Sequence, residues 1–129
     1  MKFKIQYKLY SLNDYQNACR SNPYKGAKLK KDMDDIICLY IKKAILEGLV
    51  APTDKRHDFH FTWTEQSCRR DHDNISSAVK FIFDALQQAG IIPNDNWHYV
   101  GNISHTFQLG DDYSVEVEMT ETEPFKKRK

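Results

Sequence analysis

The sequence has little of what several common kinds of protein require. Its three cysteines, Cys19, Cys38 and Cys68, are widely spaced and form no CxxC pair. Disulfide-rich secreted domains and zinc knuckles need more or closer cysteines, so we expect a protein of the reducing cytoplasm. No apolar run approaches the roughly 18 residues of a membrane-spanning helix. The opening KFKIQYKLY alternates polar and apolar residues, unlike the apolar centre of a signal peptide.

Motifs for nucleotide cofactors and for activated nucleophiles are also missing. The chain contains no GxxxxGK(S/T), GxGxxG or GxSxG, so we predict neither a nucleotide cofactor nor a serine nucleophile. One group of histidines and a cysteine offers a zinc site as an alternative: His57, His60, Cys68 and His72. Because His57 and His60 are three residues apart in a predicted strand, their side chains point to opposite faces, which disfavours zinc.

Charge is distributed unevenly along a chain of ordinary globular composition. The 129 residues are 40% hydrophobic and 29% charged, with a net charge of +1, which is typical of one folded domain. Residues 1–31 contain eight basic residues and one acidic residue, and the final FKKRK adds four more basic residues. Basic ends around an acidic middle indicate a polyanion-binding surface around a cation site. Lysine-rich ends that merely raise solubility are the alternative.

Hydrophobic periodicity predicts a single small α/β (α+β) domain, residues 1–129. Apolar and polar residues alternate in four predicted strands, at residues 2–10, 56–64, 97–107 and 113–120. Spacings of three and four predict two main helices, at residues 28–49 and 75–89, the second with Asp73 or Asn74 as N-cap and Gly90 as its end. Residues 11–27, rich in Asn, Ser, Pro and Gly, are expected to form a long irregular connection. The order β-α-β-α-β-β indicates a small mixed sheet, followed by a flexible basic tail at 121–129.

Two arginines directly precede two carboxylates in the stretch RRDHDN, residues 69–74. In an extended segment the side chains of Asp71 and Asp73 point the same way, so both carboxylates are able to bind one hard cation such as Mg²⁺. Asp95, in the turn after the second helix, is a candidate third ligand. Each acid also has an ordinary structural role available, because Asp73 is a suitable helix cap and Asp95 a suitable turn residue.

The segment RRDHDNISSAVKFIFDALQQAGIIPND resembles the RusA family of Holliday junction resolvases, small metal-dependent endonucleases often carried by phages. The similar features are an arginine-rich lead into DxDN, an amphipathic helix containing KxxxDAL, a glycine stop and a turn with aspartate. The segment SLNDYQNACRSNPYKGAKLKK resembles the family's opening, and VEVEMTE resembles its terminal strand. The resemblance spans nearly the whole chain.

The resemblance implies specific roles for four residues. Asp71, Asp73 and Asp95 match the acids that bind Mg²⁺, with Mn²⁺ as an alternative, and support phosphodiester hydrolysis. Lys80 matches a lysine important for cleavage, although it lies seven residues after Asp73 where the family has four. On a continuous helix those three extra residues are nearly one turn. The family acts in DNA recombination and repair as a homodimer that resolves four-way junctions by paired symmetric nicks.

Basic side chains complete the expected DNA-binding surface. We expect Arg69 and Arg70 to hold the scissile phosphate. The basic N-terminal segment is expected to contact other backbone phosphates through Lys25, Lys28, Lys30 and Lys31. The alternatives are a non-catalytic DNA-binding protein of the same fold, a nuclease that also cuts forks and flaps, and a metal-binding protein without a DNA role.

Overall fold

Four strands form one mixed sheet in the computed structural model, which describes residues 1–128. The elements follow one another as β1 (Lys2–Ile5), α1 (Leu12–Ser21), α2 (Pro23–Leu46), β2 (His57–Glu65), α3 (His72–Ser76), α4 (Val79–Gln88), β3 (Val100–Leu109) and β4 (Ser114–Glu121). The strand order across the sheet is β1-β4-β2-β3, with β4 antiparallel to both of its neighbours and β3 parallel to β2. The predicted α+β class with a small mixed sheet is confirmed. No helix within the described residues is long and apolar enough to cross a membrane.

The hydrophobic core lies between one face of the sheet and the helices. Phe59, Phe61 and Trp63 alternate along β2 with less buried residues, as a strand covered on one side requires. The helices contribute further buried apolar residues, among them Met33, Ile37, Ile41, Phe81, Ile82 and Leu86. The opposite face of the sheet carries charged side chains of β1 and β4, so it remains open to solvent.

Residues 12–21 and 23–27 are helical, so the prediction of an irregular connection over residues 11–27 was wrong. Ser11 caps α1 reciprocally with Asp14, because the Asp14 N–H donates to Ser11 Oγ at 3.0 Å and the Ser11 N–H donates to Asp14 Oδ2 at 2.9 Å. Asn22 then caps α2, with Pro23 in the first turn of that helix. Polar residues and proline that suggest a loop by composition are here the start signals of two consecutive helices, so α2 begins five residues earlier than predicted.

The predicted helix 75–89 is in fact two helices, and its N-cap is Asp71 and not Asp73 or Asn74. The break falls at Ser77, whose hydroxyl donates to the Asn74 carbonyl at 2.7 Å and accepts from the Leu12 N–H at 3.0 Å. The start of α1 therefore docks on the end of α3. This contact between residues 65 positions apart accounts for the interruption.

The other boundaries differ from the predictions for local reasons. The first strand ends at Ile5 and not at residue 10, and α2 ends at Leu46, before Gly48 with φ 73°. β3 begins at Val100 and not at residue 97, because the N–H groups of Tyr99 and Val100 both donate to the Asn96 carbonyl in a tight turn. β4 ends at Glu121, and the segment expected to be a flexible tail makes defined contacts as far as Phe125. Lys129 lies outside the described residues.

Candidate active site

Asp71 lies close to where the two parallel strands of the sheet end. β2 and β3 run in the same direction and finish side by side, with Glu65 paired to Leu109. The chain leaves β2, passes through residues 66–70 and reaches Asp71, the cap of α3. Openings beyond the carboxyl ends of neighbouring parallel strands are common binding sites in mixed and parallel sheets. The fold therefore brings the RRDHDN stretch to such an opening.

Asp71 contributes to two adjacent cavities of about 380 Å³ each. The first lies on the β3 side, where the His72 ring stacks on Phe107 with the ring centroids 4.0 Å apart. Its walls are Glu65, Ser67, Cys68, Arg70, Asp71, His72, Ile75, Phe107, Gln108 and Leu109. The second lies between α1 and α3, and its walls are Leu12, Asn13, Gln16, Asp71, Asp73, Asn74 and Ser77.

Asp71 and Asp73 share the second cavity, and both side chains are exposed. Asp71 occupies the N-cap position of α3, yet its carboxylate makes no capping hydrogen bond. Its oxygens are therefore not required for the helix start. The amide side chains of Asn13 and Gln16 line the same cavity from α1. This set of oxygen donors is of the type that Mg²⁺ prefers, one or two carboxylates with space for water and phosphate oxygens.

Asp95 lies elsewhere and pairs with Lys80. The Lys80 Nζ is 3.8 Å from Asp95 Oδ2 and 3.3 Å from Asp84 Oδ1. Asp95 does not contribute to the cavity that Asp71 and Asp73 share. Within residues 1–128 no three side chains of His, Cys, Asp or Glu are close enough together to hold a metal ion. The structure thus brings two of the three predicted aspartates to one cavity and does not gather the third, nor does it assemble the alternative zinc group.

Lys80 lies in the first turn of α4, beyond the break at Ser77. Asp73 and Lys80 lie on two separate helices. The offset of nearly one turn expected for Lys80 on a continuous helix therefore does not apply. The side chain of Lys80 is 59% exposed, so its ammonium is accessible from solvent while it remains paired with Asp84 and Asp95. An anion is therefore able to reach Lys80, where it would compete with Asp84 and Asp95 for the ammonium.

The two arginines of the RRDHDN stretch have different surroundings. Arg70 donates to both oxygens of Glu65, and its Nη1 donates to the Leu9 carbonyl at 3.0 Å. Its side chain is 16% exposed. Arg69 is exposed and forms no ion pair with any other described residue. Of the two, Arg69 is the arginine whose charge is available to a phosphate, whereas Arg70 connects the end of β2 to the segment before α1.

The four lysines predicted to contact DNA also differ. Lys30 lies between α2 and α4, with its Nζ 2.7 Å from Asp34 Oδ1 and 3.3 Å from Asp84 Oδ2. Burial works to lower the pKa of Lys30, but the hydrogen bonds and charges of these two carboxylates raise it overall. Lys31 is exposed and 3.7 Å from Asp35 Oδ2. Lys25 and Lys28 are exposed and have no acidic partner in the part of the chain that the structure describes.

Sequence reasoning missed the contribution of α1 to the site. Asn13 and Gln16 were assigned to a loop, and Ser77 to the first turn of a continuous helix over residues 75–89. The Ser11-x-x-Asp14 capping pattern was a usable signal for α1, since it marks a helix start. No comparable local signal predicts the pairing of Arg70 with Glu65 or the docking of α1 on Ser77.

The chain matches no model of a known protein family, and no curated protein matches it. These comparisons therefore do not identify it as a member of the RusA family.

Proposed function

We propose that this protein is a metal-dependent endonuclease that cuts branched DNA, with the four-way junction as its substrate in recombination and repair. One observation carries the proposal. Asp71 and Asp73 present two exposed carboxylates to one cavity, and Arg69, two residues before Asp71 in the chain, is also exposed. These two acids and this arginine form no ion pairs among the described residues, so their charges are available to bind a metal ion and a phosphate.

The donor set of the shared cavity fits Mg²⁺ or Mn²⁺. Asp71 and Asp73 would hold the ion, since Mg²⁺ is commonly bound through one or two carboxylates while water and substrate phosphate complete its shell. When bound, the ion supplies Lewis-acid activation of the phosphate and of water. A third protein carboxylate is not required for such a site, so the position of Asp95 is compatible with the proposal.

The protein's own residues supply positioning and charge. Arg69 neutralises the scissile phosphate, and Arg70 holds the backbone next to Asp71 through its bond to Glu65. Lys80 does not line the shared cavity; in this proposal its exposed ammonium, paired with Asp84 and Asp95, offsets charge on a phosphate of the bound DNA. We therefore assign Asp95 to positioning Lys80 in the conformation described here.

The surface that contacts DNA away from the cut is the helical segment after the cavity. α1 forms one wall of the cavity, and α2 follows directly after it. Lys25, Lys28 and Lys31 are exposed along the first turns of α2. Such lysines bind backbone phosphates without reading bases, which suits an enzyme whose preference is for a branched shape.

A homodimer would place two such sites on one junction, and β3 offers an edge for it. β3 is one of the two outer strands of the sheet, ten residues long and without a charged side chain. Ile103 and Leu109 on this strand are 45% and 63% exposed. Charged residues normally protect long edge strands from pairing, and their absence favours antiparallel pairing with β3 of a second copy. The three free cysteines fit the reducing cytoplasm of a bacterial cell.

The proposal is tested by cleavage of a labelled synthetic four-way junction beside a matched linear duplex. Wild type in Mg²⁺ is expected to make paired nicks at the junction and none with EDTA. Asp71→Asn and Asp73→Asn are each expected to abolish cutting. Asp32→Asn is the matched control, since Asp32 is an exposed acid of α2 without an ion pair among the described residues.

Two other outcomes would change the assignment. Tight junction binding without cutting in any divalent metal would overturn the assignment as an enzyme and support a non-catalytic DNA-binding protein. Equal cutting of forks, flaps and four-way junctions would replace the resolvase with a broader branched-DNA nuclease.

A further inference from the structure

Trp97 is a large aromatic residue that lies mostly exposed on the surface. Its side chain and backbone together are 71% exposed, whereas Trp63, the other tryptophan, is 3% exposed in the core. Trp97 lies two residues after Asp95, in the turn before β3. Aromatic side chains are enriched in binding surfaces, and an exposed apolar residue indicates such a surface when it forms part of a contiguous patch.

Neighbouring side chains hold Trp97 in an aromatic cluster. The Phe125 ring lies 5.7 Å from the Trp97 ring and 5.3 Å from the His98 ring, measured between centroids. Arg56 lies over Phe125 at 5.8 Å, and its Nε donates to the Trp97 carbonyl at 2.9 Å. Arg56 also fixes the C-terminal segment, because its carbonyl accepts from the Thr122 N–H at 2.9 Å. The cluster is therefore a built surface and not a single stray side chain.

Basic side chains surround this cluster. A cavity of about 620 Å³ is lined by Asn96, Trp97, His98, Phe125, Lys126, Lys127 and Arg128. The lining includes three cations and no acid. Two acids, Asp54 and Glu121, line a neighbouring cavity that shares His98 and Phe125 with this one. Aromatic faces bordered by cations are the combination that binds unpaired nucleotides, since bases stack on the rings and phosphates pair with the cations.

We infer that the Trp97–Phe125 surface binds an unpaired nucleobase and its flanking phosphates. The inference rests on the proposed function in taking DNA as the substrate, and it adds a second surface that contacts the DNA. Strands that part at a branch point expose base faces that a duplex hides. Asp95, two residues before Trp97, pairs with Lys80, so the turn that carries Trp97 also carries the acidic partner of Lys80.

The test compares binding of two labelled ten-nucleotide strands by fluorescence anisotropy in EDTA, where no cutting occurs. One strand is oligothymidine and the other is abasic with the same number of phosphates. Wild type is expected to bind oligothymidine about tenfold more tightly, since stacking of a single base contributes on that scale. Trp97→Ala is expected to bind both strands equally.

Three controls separate stacking from folding and charge. Trp97→Leu retains an apolar contact with Phe125 but no aromatic face, so it should lose the base preference even if Trp97→Ala unfolds. Trp97→Phe should retain most of the preference. Tyr24→Ala removes another exposed aromatic residue, 85% exposed on the basic helix α2, and should leave the preference unchanged.

Equal wild-type affinity for the two strands would overturn the inference, and so would an undiminished preference in folded Trp97→Leu. Neither result affects the endonuclease proposal if the wild type still nicks junctions in Mg²⁺. Conversely, a base preference that depends on Trp97 in a protein that cuts no junction would support the stacking site and overturn the endonuclease.

Discussion

Arg70 and Glu65 form a bidentate ion pair beside the candidate active site. Arg70 Nε donates to Glu65 Oε1 at 2.9 Å and Nη2 donates to Oε2 at 2.8 Å, and the two side chains are only 16% and 8% exposed. Because Arg70 also donates to the Leu9 carbonyl, the pair joins the end of β2 to the segment before α1. The adjacent arginines of the sequence therefore have separate tasks, and the second one positions the residue that follows it, Asp71.

Removing one member of this pair should destabilise the protein strongly. Arg70→Met leaves the Glu65 carboxylate without its partner in a nearly closed site, and we expect a loss of about 3–5 kcal/mol in the free energy of unfolding. Urea unfolding measures it. Arg69→Met should change the free energy of unfolding by no more than about 0.5 kcal/mol, as for most exposed residues. A loss in Arg70→Met as small as that in Arg69→Met would show that the ion pair does not support the fold.

The lysines of α2 should separate into DNA contacts and structural residues. Lys28→Gln is expected to reduce the slope of log K against log[salt] for duplex binding by about 0.9, the effect of one lost phosphate contact. Lys30→Gln should instead lower stability, because Asp34 and Asp84 lose their shared cation. Filter binding at several salt concentrations measures the slope, and thermal unfolding measures the stability. An unchanged slope in Lys28→Gln would place the DNA elsewhere.

Stability should fall as the pH is lowered through the range of histidine titration. Burial, and then the nearby His60, lower the pKa of His105 below its usual 6.5. The Trp63 Nε1–H donates to His105 Nδ1 at 2.9 Å, which requires that nitrogen to be unprotonated. Because the pKa of His105 is lower in the folded state, its neutral form stabilises the fold. This contribution to the free energy of unfolding is complete above pH 6.5 and is lost as the pH falls through the folded-state pKa.

Urea unfolding at several pH values between 7.5 and 5 checks this expectation. The pH dependence of wild type in that range should be reduced in His105→Gln, which cannot titrate. His60→Gln, a change in the neighbouring histidine on the other face of the sheet, should retain most of it. Identical pH dependence in wild type and His105→Gln would contradict the assignment.

The edge of β3 should control the oligomeric state. Ile103→Lys places a charge on the free strand, and a charged side chain on an edge strand opposes its pairing with another strand. We expect wild type to sediment as a dimer and Ile103→Lys to shift toward monomer without unfolding. Leu39→Lys is the matched control, since Leu39 is 67% exposed on α2, away from the edge. A dimer that persists in Ile103→Lys and dissociates in Leu39→Lys would place the interface on α2.

Patterns within single segments determined much of this fold. Alternation identifies β2 and β4 to within one or two residues, and the spacing of Met33, Ile37 and Ile41 identifies the body of α2, because burial of one face imposes those periods directly on the sequence. Gly90, with φ 76°, ends the second helical region as predicted. The mixed α+β class follows from this order of elements.

The tertiary structure decided what depends on residues far apart in the chain. The break at Ser77 requires the start of α1, which lies 65 residues away. Lys80 is directed by Asp95, and the joining of the β2 end to Leu9 depends on Arg70. The exposure of β3 depends on its place at the edge of the sheet. No local period encodes these contacts, because each arises only when separate segments pack and compete for the same donors, acceptors and charges.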